Sequence, residues 1–399
     1  MDDTAYGTTN RPWDILISGS GPSGLAAGIA AARRGMTVCI CEKAAHPGPM
    51  PRGETVHDHP IFTELLGEGF MESISLHATE KRRYNSPCSL KQLDFVRSTP
   101  SIVFRWEEFI CRLYENALGA DVTFRFGCKV VSGLIGEDGV CRGVELSPGG
   151  RIYARTVLAC DGHGSSLGRQ SGVCYGHINL PTVKRLASGF NGDYPGFEFF
   201  FITQGMLDYA PRFPPAVIFV FPRESGHCET GMTVFTRVAE SLCKKCDIPS
   251  REETLRVWKR LVLDYPRFSE LMKGTKIELE YYTELPNAKL HEPPMAIPGL
   301  ALIGDSAGFI EASGGSGISS SLQEAAICAE FLSQADAPAW DEPLVQRFNK
   351  HMTDSGIYRH IRKVYRLIGI FQQLFFGIVR TAKGVNRNWW LLKLLMPLQ

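Results

Sequence analysis

The sequence predicts an α/β protein in which a parallel-sheet domain built on a βαβ unit is joined to an antiparallel-sheet domain and to C-terminal helices. Three observations predict this fold. A glycine-rich turn near the N-terminus lies between an apolar strand pattern and an Ala-rich helix pattern. Two later apolar runs end in short segments of Gly, Asp and Ser, and the chain from residue 355 onward carries amphipathic patterns without any Asp or Glu.

The composition excludes several classes of protein. The 399 residues are 44% hydrophobic and 21% charged, which is ordinary for a globular chain and argues against disorder or a coiled coil. The net charge of +1 gives no global field that recruits nucleic acid, so we expect no nucleic-acid partner. Cys243 and Cys246 form a lone CxxC motif, whereas zinc needs four ligands, so we expect no metal.

The first βαβ unit is continuous in the sequence. The branched apolar run Trp13–Ser18 is typical of a buried strand, and the Ala-rich stretch after Gly24 is typical of a helix that stops at Gly35. A second strand pattern at residues 37–41 is followed by Glu42. Strand, glycine turn, helix, strand and acid together predict a Rossmann-like unit that binds a dinucleotide.

The glycine turn and the acid each have a physical role in binding a dinucleotide. Gly19 permits a tight turn, Gly21 lets a pyrophosphate approach the backbone, and Gly24 lets the helix pack closely on the strand. The helix N-terminus offers N–H groups and a positive dipole end to the phosphates, and Glu42 can accept hydrogen bonds from a ribose diol. The predicted residues of this part of the site are Gly19, Gly21, Pro22, Ser23, Gly24, Glu42 and Lys43.

Two later motifs extend the predicted site. The strand pattern Arg151–Ala159 runs into a segment that contains the pair Asp161–Gly162. Further on, the apolar run 299–303 ends in the pair Gly304–Asp305, and small residues precede a helix pattern at Ser319–Leu332. These small residues would let the helix N-terminus approach a bound group closely, and the carboxylate of Asp305 can bind a polyol chain.

In this order, the three motifs resemble those of the large FAD-dependent superfamily of aromatic hydroxylases, geranylgeranyl reductases and electron-transfer-flavoprotein quinone oxidoreductases. The resemblance covers nearly the whole chain and implies that the cofactor is FAD. It implies that Glu42 holds the adenosine ribose and that Asp305 holds the ribityl chain. Gly317 and Ile318 would then lie beside the isoalloxazine ring.

Other positions also match residues of this superfamily. Arg105, which heads the helix pattern Trp106–Leu118, matches an arginine that reaches the phosphate and ribityl region of the flavin. Val130 matches a residue whose backbone meets the adenine. The remaining cofactor residues that the resemblance implies are Arg52, Gly53, Asp161, Gly162 and Gly304.

Within the superfamily, two segments look most like the geranylgeranyl reductases. Residues 51–54 read Pro-Arg-Gly-Glu where that family has an Arg-Cys-Gly-Glu type of segment, so its cysteine is absent here. Residues 215–222 keep the Phe and the final Pro of the family's P-x-Y-x-W-x-F-P signature, with Val217 and Phe219 where Tyr and Trp are expected. The likeness implies a reductase of carbon–carbon double bonds in a prenyl or other hydrophobic substrate, with hydride from reduced flavin N5.

The shared scaffold leaves two alternatives open. One is a monooxygenase that uses NAD(P)H and O2 on a small natural product, and the other is an electron-transfer or quinone-oxidoreductase-like flavoprotein. The W-x-W-x-I-P segment of flavin halogenases is absent, and no Cys follows Cys328, which excludes the iron–sulfur domain of true quinone oxidoreductases. Because no second GxGxxG motif is present, NAD(P)H would bind only transiently as reductant, or a separate electron donor would serve.

Reduction of a double bond also needs a proton donor near the face of the flavin. His57 and Glu54 follow the second strand, where the chain of this family passes the isoalloxazine, and they are the candidates. The alternative is that this polar cluster caps a helix at Pro60–Leu66. The candidate substrate residues, which suit a hydrophobic tunnel or an ordinary core equally well, are Phe199, Phe219 and Phe221.

The C-terminal part of the chain is strongly basic. Of the 43 Lys and Arg, eight lie from Ser355 onward without any acid, which leaves the preceding part with 35 basic and 42 acidic residues, or −7. The apolar run Leu367–Val379 is too short to span a membrane, and no signal peptide is evident. The tail suits either contact with anionic lipid or helices packed on the body. We expect a cytoplasmic protein that can associate peripherally with a membrane through this tail.

The motifs also predict how the domains are divided along the chain. We expect the FAD-binding domain to comprise residues 1–60, 103–176 and 287–334. The strand-rich residues 61–102 and 177–286 would form a substrate domain, and residues 335–399 a helical basic tail.

Overall fold

The computed structural model describes residues 6–48, 54–173, 178–235, 248–287, 295–310, 317–335, 340–379 and 381–395. Two sheets with helices around them and helices at the C-terminus confirm the predicted α/β fold. The strands are β1 (Trp13–Ser18), β2 (Val38–Glu42), β3 (Glu54–His57), β4 (Ser75–Asn85), β5 (Gln92–Phe104), β6 (Thr123–Phe126), β7 (Lys129–Ile135), β8 (Cys141–Ser147), β9 (Arg151–Ala159), β10 (Ile178–Ser188), β11 (Phe197–Ile202), β12 (Ala216–Pro222), β13 (His227–Val234), β14 (Lys276–Asn287), β15 (Ala296–Ile297) and β16 (Leu300–Leu302). The α-helices are α1 (Pro22–Ala32), α2 (Pro60–Leu66), α3 (Phe70–Ile74), α4 (Trp106–Gly119), α5 (Ser166–Ser171), α6 (Arg251–Asp264), α7 (Phe268–Met272), α8 (Ile318–Gln334), α9 (Glu342–Asp354), α10 (Gly356–Gln372), α11 (Ala382–Arg387) and α12 (Leu392–Leu395).

The first sheet is parallel at its centre. Its strand order is β15-β16-β9-β1-β2-β6, and the hairpin β7–β8 is attached to β9. Strand β1 pairs in parallel with β2 and β9, and β9 also pairs in parallel with β16. The carboxyl ends of β1, β9 and β16 therefore meet at one edge of the sheet. All three predicted motifs follow these strands, so the fold brings them together at this edge.

Helix α1 packs tightly because its sequence is built from small residues. Every residue from Ser23 to Ala31 is buried. At Gly28 a Cβ atom would lie 3.0 Å from the Ile40 side chain of β2, so a larger residue would push the helix off the sheet. The helix packs against α4 on one side and α8 on the other. This packing brings α8, which follows the last glycine motif, alongside the first one.

The second sheet is mainly antiparallel. Its order is β14-β10-β13-β12-β11-β4-β5-β3, and only β4 and β11 are parallel neighbours among these strands. One face packs on α6 and α7 and forms a second core around Trp258 and Phe268. Phe200 of β11 belongs to this core. Since side chains alternate along a strand, the neighbours of Phe200 point to the opposite face.

Strand β3 belongs to the second sheet, although the range 1–60 predicted for the FAD-binding domain includes its residues. It pairs antiparallel with β5, with Glu54 opposite Phe104 and His57 opposite Ser101. The physical reason is backbone hydrogen bonding. Strand β5 continues as far as Phe104, and its outer edge offers N–H and C=O groups that a short extended segment can satisfy. The domain boundaries stay predictions.

The basic tail forms helices that pack on the second sheet. Phe371, Phe375 and Trp389 are buried and form a third core with Phe201 of β11. Helix α10 is continued by a π-helical segment, Gln373–Ile378, before the chain turns back. None of the helices that the structure describes has both the length and the apolar character needed to cross a membrane.

Candidate active site

The turn between β1 and α1 has the geometry that its glycines predict. Gly19 has a φ of +102°, and a Cβ atom there would lie 2.5 Å from the carbonyl oxygen of Cys160, at the end of β9. A Cβ atom at Gly24 would lie 2.0 Å from the carbonyl oxygen of Gly19. At Gly21, by contrast, a Cβ atom would meet nothing within 4 Å. Two glycines are therefore required by packing, and the middle one faces open space that a phosphate can enter.

Glu42 lies against this turn at the end of β2. Its side chain is buried, and its Oε2 atom accepts hydrogen bonds from the N–H of Ser20 at 2.9 Å and the hydroxyl of Ser20 at 2.8 Å. Its Oε1 atom accepts from the N–H of Ala44 at 2.9 Å. The turn thus fixes the carboxylate at the carboxyl end of β2, and its role toward a ribose stays a prediction. Lys43, which follows it, is exposed.

The last glycine motif lies beside the first. Gly304 has a φ of +72°, and a Cβ atom there would lie 2.7 Å from the Ser23 hydroxyl of α1. Asp305 follows in a 3-10 turn, and a Cβ atom at Gly317 would lie 3.1 Å from its Oδ1 atom. Ile318 begins α8. The N-termini of α1 and α8 and the carboxylate of Asp305 therefore converge, which is the arrangement that a phosphate and a polyol chain require.

A buried acid that the sequence analysis did not identify forms a hydrogen bond with the backbone of this motif. Glu324 of α8 is fully buried, and its Oε2 atom accepts a hydrogen bond from the N–H of Gly304 at 2.6 Å. Burial raises the pKa of Glu324 well above its ordinary value, and the negative charge of Asp305 adds to this effect. Burial also raises the pKa of the neighbouring Cys160 thiol. The sequence signal was weak: Glu324 is one of two acids in this helix, and its other buried positions are small or apolar.

The third motif supplies an unsatisfied polar atom. Asp161 accepts hydrogen bonds at Oδ2 from the N–H of Ser166 at 3.0 Å and from its hydroxyl at 3.3 Å. Its Oδ1 atom is buried and has no hydrogen-bond partner among the described residues. Gly162 follows with a φ of +76°. A buried carboxylate oxygen without a partner is costly, so a bound ligand or water that donates to it would be favoured.

Of the four remaining predicted cofactor residues, the structure describes two, Arg105 and Val130. Arg105 precedes α4, donates to the carbonyl oxygen of Ser73 at 3.2 Å and lies 3.5 Å from Glu108. Val130 is buried in β7. Arg52 and Gly53 lie outside the described residues. The cradle formed by two helix N-termini, an open Gly21 and the acids of three motifs fits FAD.

The predicted substrate residues share one face of the second sheet. Phe199 and Phe219 are cross-strand partners, and the rings of Phe219 and Phe221 lie 4.9 Å apart. Phe197, two residues before Phe199, stacks on Phe221 at 4.1 Å. At Gly231 a Cβ atom would lie 2.6 Å from the Phe219 ring, so the glycine makes room for that ring. These aromatic rings form a contiguous apolar cluster on the face opposite the second core, in which Phe197 and Phe219 are buried and the other two rings are half-buried. We call this cluster the aromatic face (Phe197, Phe199, Phe219 and Phe221).

A chain of buried polar groups joins the aromatic face to His57. The guanidinium of Arg82 lies 4.5 Å from the centre of the Phe197 ring and donates to the hydroxyl of Ser101. The Ser101 oxygen lies 2.7 Å from Nδ1 of His57. Arg82 and Ser101 are buried, and burial lowers the pKa of Arg82 to about 10, so Arg82 remains charged near neutral pH. Both residues escaped sequence reasoning because neither belongs to a motif.

Glu54 lies in a different polar group. Its Oε1 atom is 3.7 Å from the Lys184 ammonium group, which is also 3.2 Å from Oε1 of Glu229. Lys184 is on β10, so this ion pair joins β3, at one edge of the sheet, to a strand near the other edge. The helix-capping alternative holds for a neighbouring residue: Nδ1 of His59 accepts from the N–H of Ile61 at 3.1 Å at the start of α2. The sheet therefore brings His57 into the polar chain that ends at the aromatic face, whereas Glu54 pairs with Lys184.

Comparison with known proteins places the chain in a family. The family model described as an FAD binding domain matches residues 13–335. A digeranylgeranylglycerophospholipid reductase of Thermoplasma acidophilum is 24% identical over 367 residues, which cover 88% of this chain and 85% of that relative. The matched residues include all three glycine and acid motifs of the cradle.

Solved structures share the fold. A geranylgeranyl bacteriochlorophyll reductase-like protein from Thermoplasma acidophilum aligns with a TM-score of 0.73 at 19% identity, covering 97% of this chain and 99% of that one. A flavin-dependent brominase aligns with a TM-score of 0.66 at 15% identity, covering 91% of this chain and 90% of that one. These two likenesses concern the fold alone. Together with the match of the family model, the cradle leads to one conclusion: the chain belongs to the FAD-binding-domain family, and it is an FAD-dependent oxidoreductase.

Proposed function

We propose that this flavoprotein reduces carbon–carbon double bonds in a prenyl or similarly hydrophobic substrate. The observation that carries the proposal is the aromatic face, which is connected through Arg82 and Ser101 to His57. The relatives named as digeranylgeranylglycerophospholipid reductases support it, because their similarity extends over most of the chain. When bound and reduced by an electron donor, FAD would supply the hydride for such a reaction and would be reoxidised in doing so.

The predicted cofactor residues would act by holding FAD in a fixed position. The N-termini of α1 and α8 would bind the phosphates, Glu42 the adenosine ribose and Asp305 the ribityl chain. Hydrogen bonds from Ser20 and Ala44 fix the orientation of the Glu42 carboxylate for this role. The closeness of Gly304 to Ser23 keeps the two helix ends together.

The aromatic face would bind the substrate by excluding water. Phe199 and Phe221 are half-buried, so part of each ring is accessible to a ligand. An unsaturated hydrocarbon chain has no hydrogen-bonding groups, and contact with rings stabilises it through the hydrophobic effect. This face therefore suits an apolar chain better than a small polar product.

His57 would deliver the proton to the carbon that does not receive the hydride. The Ser101 oxygen has two lone pairs and can accept one hydrogen bond from Arg82 and one from Nδ1–H of His57. The imidazole ring is then fixed through Nδ1. In the imidazolium form, which carries a proton on both nitrogens, Nε2–H would give its proton to the carbon and leave the neutral ring with Nδ1–H on Ser101. Glu54 is the weaker candidate because its carboxylate is engaged by Lys184.

The test is direct. Purified FAD-loaded protein is reduced with dithionite without oxygen and incubated with lipids that carry geranylgeranyl chains. The expected result is a gain of two hydrogens for each double bond reduced, measured by mass spectrometry. If the masses stay unchanged while the flavin remains reduced, the proposed reaction is wrong.

Two further assays of the same protein test the alternatives, a monooxygenase and an electron-transfer flavoprotein. Incorporation of labelled oxygen into a substrate during NAD(P)H consumption in air would identify a monooxygenase instead. Rapid reoxidation of the reduced flavin by a quinone, without any lipid product, would identify an electron-transfer flavoprotein. NAD(P)H is our proposed transient reductant, and its rate of flavin reduction is measured in the same experiment.

A further inference from the structure

The outer side of the C-terminal helices carries cations in one stripe. On α10 the exposed residues Arg359, Arg362, Lys363 and Arg366 follow one another at intervals of three or four residues or stand side by side. Ile370 continues the same stripe one turn later and is 54% exposed. Positions spaced in this way lie on one face of a helix. The stripe is therefore basic along most of its length and apolar at its C-terminal end.

Large apolar side chains of the tail are also exposed beyond α10. Ile378 is 76% exposed, Trp390 57% and Leu394 61%. Within the described part of the chain, no ion pair joins an acid to any of the four cations of the stripe. We call this surface the docking face. Its residues are Arg359, Arg362, Lys363, Arg366, Ile370, Ile378, Trp390 and Leu394.

The inner side of the same helices is anchored. Phe371 lies 6.0 Å from the Phe201 ring and Trp389 lies 5.4 Å from it, measured between ring centres. Phe199 of the aromatic face also packs against this core. Packing on the body therefore accounts for the inner side of the tail and leaves the docking face without an explanation.

We propose that the docking face binds an anionic lipid bilayer. Cations attract the acidic headgroups, and exposed Ile, Leu and Trp side chains can enter the boundary between headgroups and acyl chains. The part of the chain before Ser355 has a charge of −7, so an anionic membrane repels the rest of the molecule. The charge distribution thus selects one orientation, with the tail toward the lipid.

This orientation deepens the proposed function, and for the nature of the substrate it rests on that function. The tail packs at the Phe199 end of the aromatic face, whereas Phe197 lies at the end next to Arg82 and His57. A bilayer on the docking face would bring lipid chains to the end of the aromatic face that is remote from His57. Membrane binding itself does not depend on any turnover, so it is tested separately.

The first experiment measures binding to vesicles. FAD-loaded full-length protein is sedimented with vesicles of phosphatidylcholine alone or mixed with phosphatidylglycerol. We expect binding only to the anionic vesicles and a loss of binding when salt is added. The double variant Arg362→Glu with Lys363→Glu should weaken binding at least about tenfold, since each cation near an anionic surface contributes.

The control has the same change in charge at another place. Lys259→Glu with Lys276→Glu reverses two exposed lysines outside the tail and should leave vesicle binding unchanged. Equal losses in the two double variants would mean that overall charge alone is responsible and would overturn the proposal. Equal binding of the parent protein to neutral and anionic vesicles would also overturn it, as would a preference for duplex DNA over the vesicles in competition.

The second experiment uses the tryptophans as a probe. Of the six Trp residues, five are buried and only Trp390 is exposed, so iodide should quench mainly Trp390. Anionic vesicles should protect the fluorescence from iodide, and the protection should disappear in Trp390→Phe. Unchanged quenching of the vesicle-bound protein would place the contact elsewhere. Protection of Trp390 by vesicles without any reduction of lipid would support membrane binding and would contradict only the proposed reaction.

Discussion

Glu324 shows how one buried carboxyl group can stabilise the cofactor motif and make it sensitive to pH. Its Oε2 atom accepts from the N–H of Gly304, while its Oε1 atom is buried and has no hydrogen-bond partner among the described residues. Its surroundings are a second acid, Asp305, and the thiols of Cys160 and Cys328. The protonated form is therefore the one that the folded protein prefers.

Replacing Glu324 should remove a pH dependence of stability. The folded state raises the pKa of Glu324, so the protonated carboxyl group contributes to the stability of the folded protein. This contribution is complete below the ordinary pKa near 4.5 and is lost as pH rises through the folded-state pKa. Glu324→Gln cannot ionise, so its melting temperature relative to the parent protein should increase between about pH 5 and pH 9. Glu330→Gln, at an exposed position of α8, is the control and should run parallel to the parent protein. A constant difference between Glu324→Gln and the parent protein would contradict the prediction.

Ser101 is a positioning residue in the proposed mechanism, since it acts on the substrate only through His57. Ser101→Ala should lower kcat and shift the pH profile of turnover while leaving KM nearly unchanged, because the imidazole loses its orientation. Ser101→Thr keeps the hydroxyl and should restore the profile. His57→Ala should cost more, roughly a factor of 10² to 10⁴ in kcat, if the ring is the general acid. A loss of kcat in Ser101→Ala without any change in the pH profile would indicate a purely structural role.

At the scale of elements, the turn between β1 and α1 combines two kinds of glycine. Gly24 is required by packing, because a Cβ atom would collide with the Gly19 carbonyl at 2.0 Å. Gly21 has φ −69° and ψ 179°, which any residue can adopt, and its Cβ position is open. The protein itself therefore does not require glycine at this position. We infer that the missing side chain leaves room for a group that approaches from outside, the pyrophosphate of the cofactor.

Alanine at these two positions should separate folding from cofactor binding. Gly24→Ala is expected to displace α1 and to reduce the yield of folded protein. Gly21→Ala should keep the melting temperature of the FAD-free protein but bind FAD more weakly, measured by titration of flavin fluorescence. Gly35→Ala serves as the control: its φ of +83° implies a cost of about 1–2 kcal/mol in stability without an effect on FAD affinity. Parent-like FAD affinity in Gly21→Ala would refute the role assigned to Gly21.

At the scale of the whole molecule, the tail connects the second sheet to the surface that we propose binds lipid. The neighbouring residues Trp389 and Trp390 divide these two roles, since Trp389 is 1% exposed and Trp390 57%. Trp389 contacts Phe201 and Phe375, whereas Trp390 belongs to the docking face.

Exchange of each tryptophan should therefore have a different effect. Trp389→Ala removes a buried ring from the third core and should destabilise the protein by about 3–5 kcal/mol. The first sheet does not contribute to that core. Flavin should therefore stay bound at urea concentrations at which the tail of this variant has already unfolded. Trp390→Ala should leave the unfolding curve close to that of the parent protein. Similar unfolding curves for the two variants would show that the tail is not packed as described.

Much of the first sheet could be predicted because its signals are local. The bounds of β1, β9 and α2 are as predicted, and the three motifs do meet at one sheet edge. A βαβ unit places strand, turn and helix next to one another in sequence, so propensity and periodicity are enough to locate it. The same reasoning missed β3, because its partner β5 is far along the chain and only pairing shows to which sheet it belongs.

By itself, the sequence determined the α/β class, the dinucleotide turn with its acid at Glu42, and the basic character of the tail. Only the tertiary structure decided that Ser101 joins His57 to Arg82, that Glu324 accepts a hydrogen bond from Gly304, and that the inner side of the tail covers part of the second sheet. The reason is physical. Contacts within a βαβ unit follow from short-range backbone geometry, whereas a contact between distant residues depends on which sheet faces pack together.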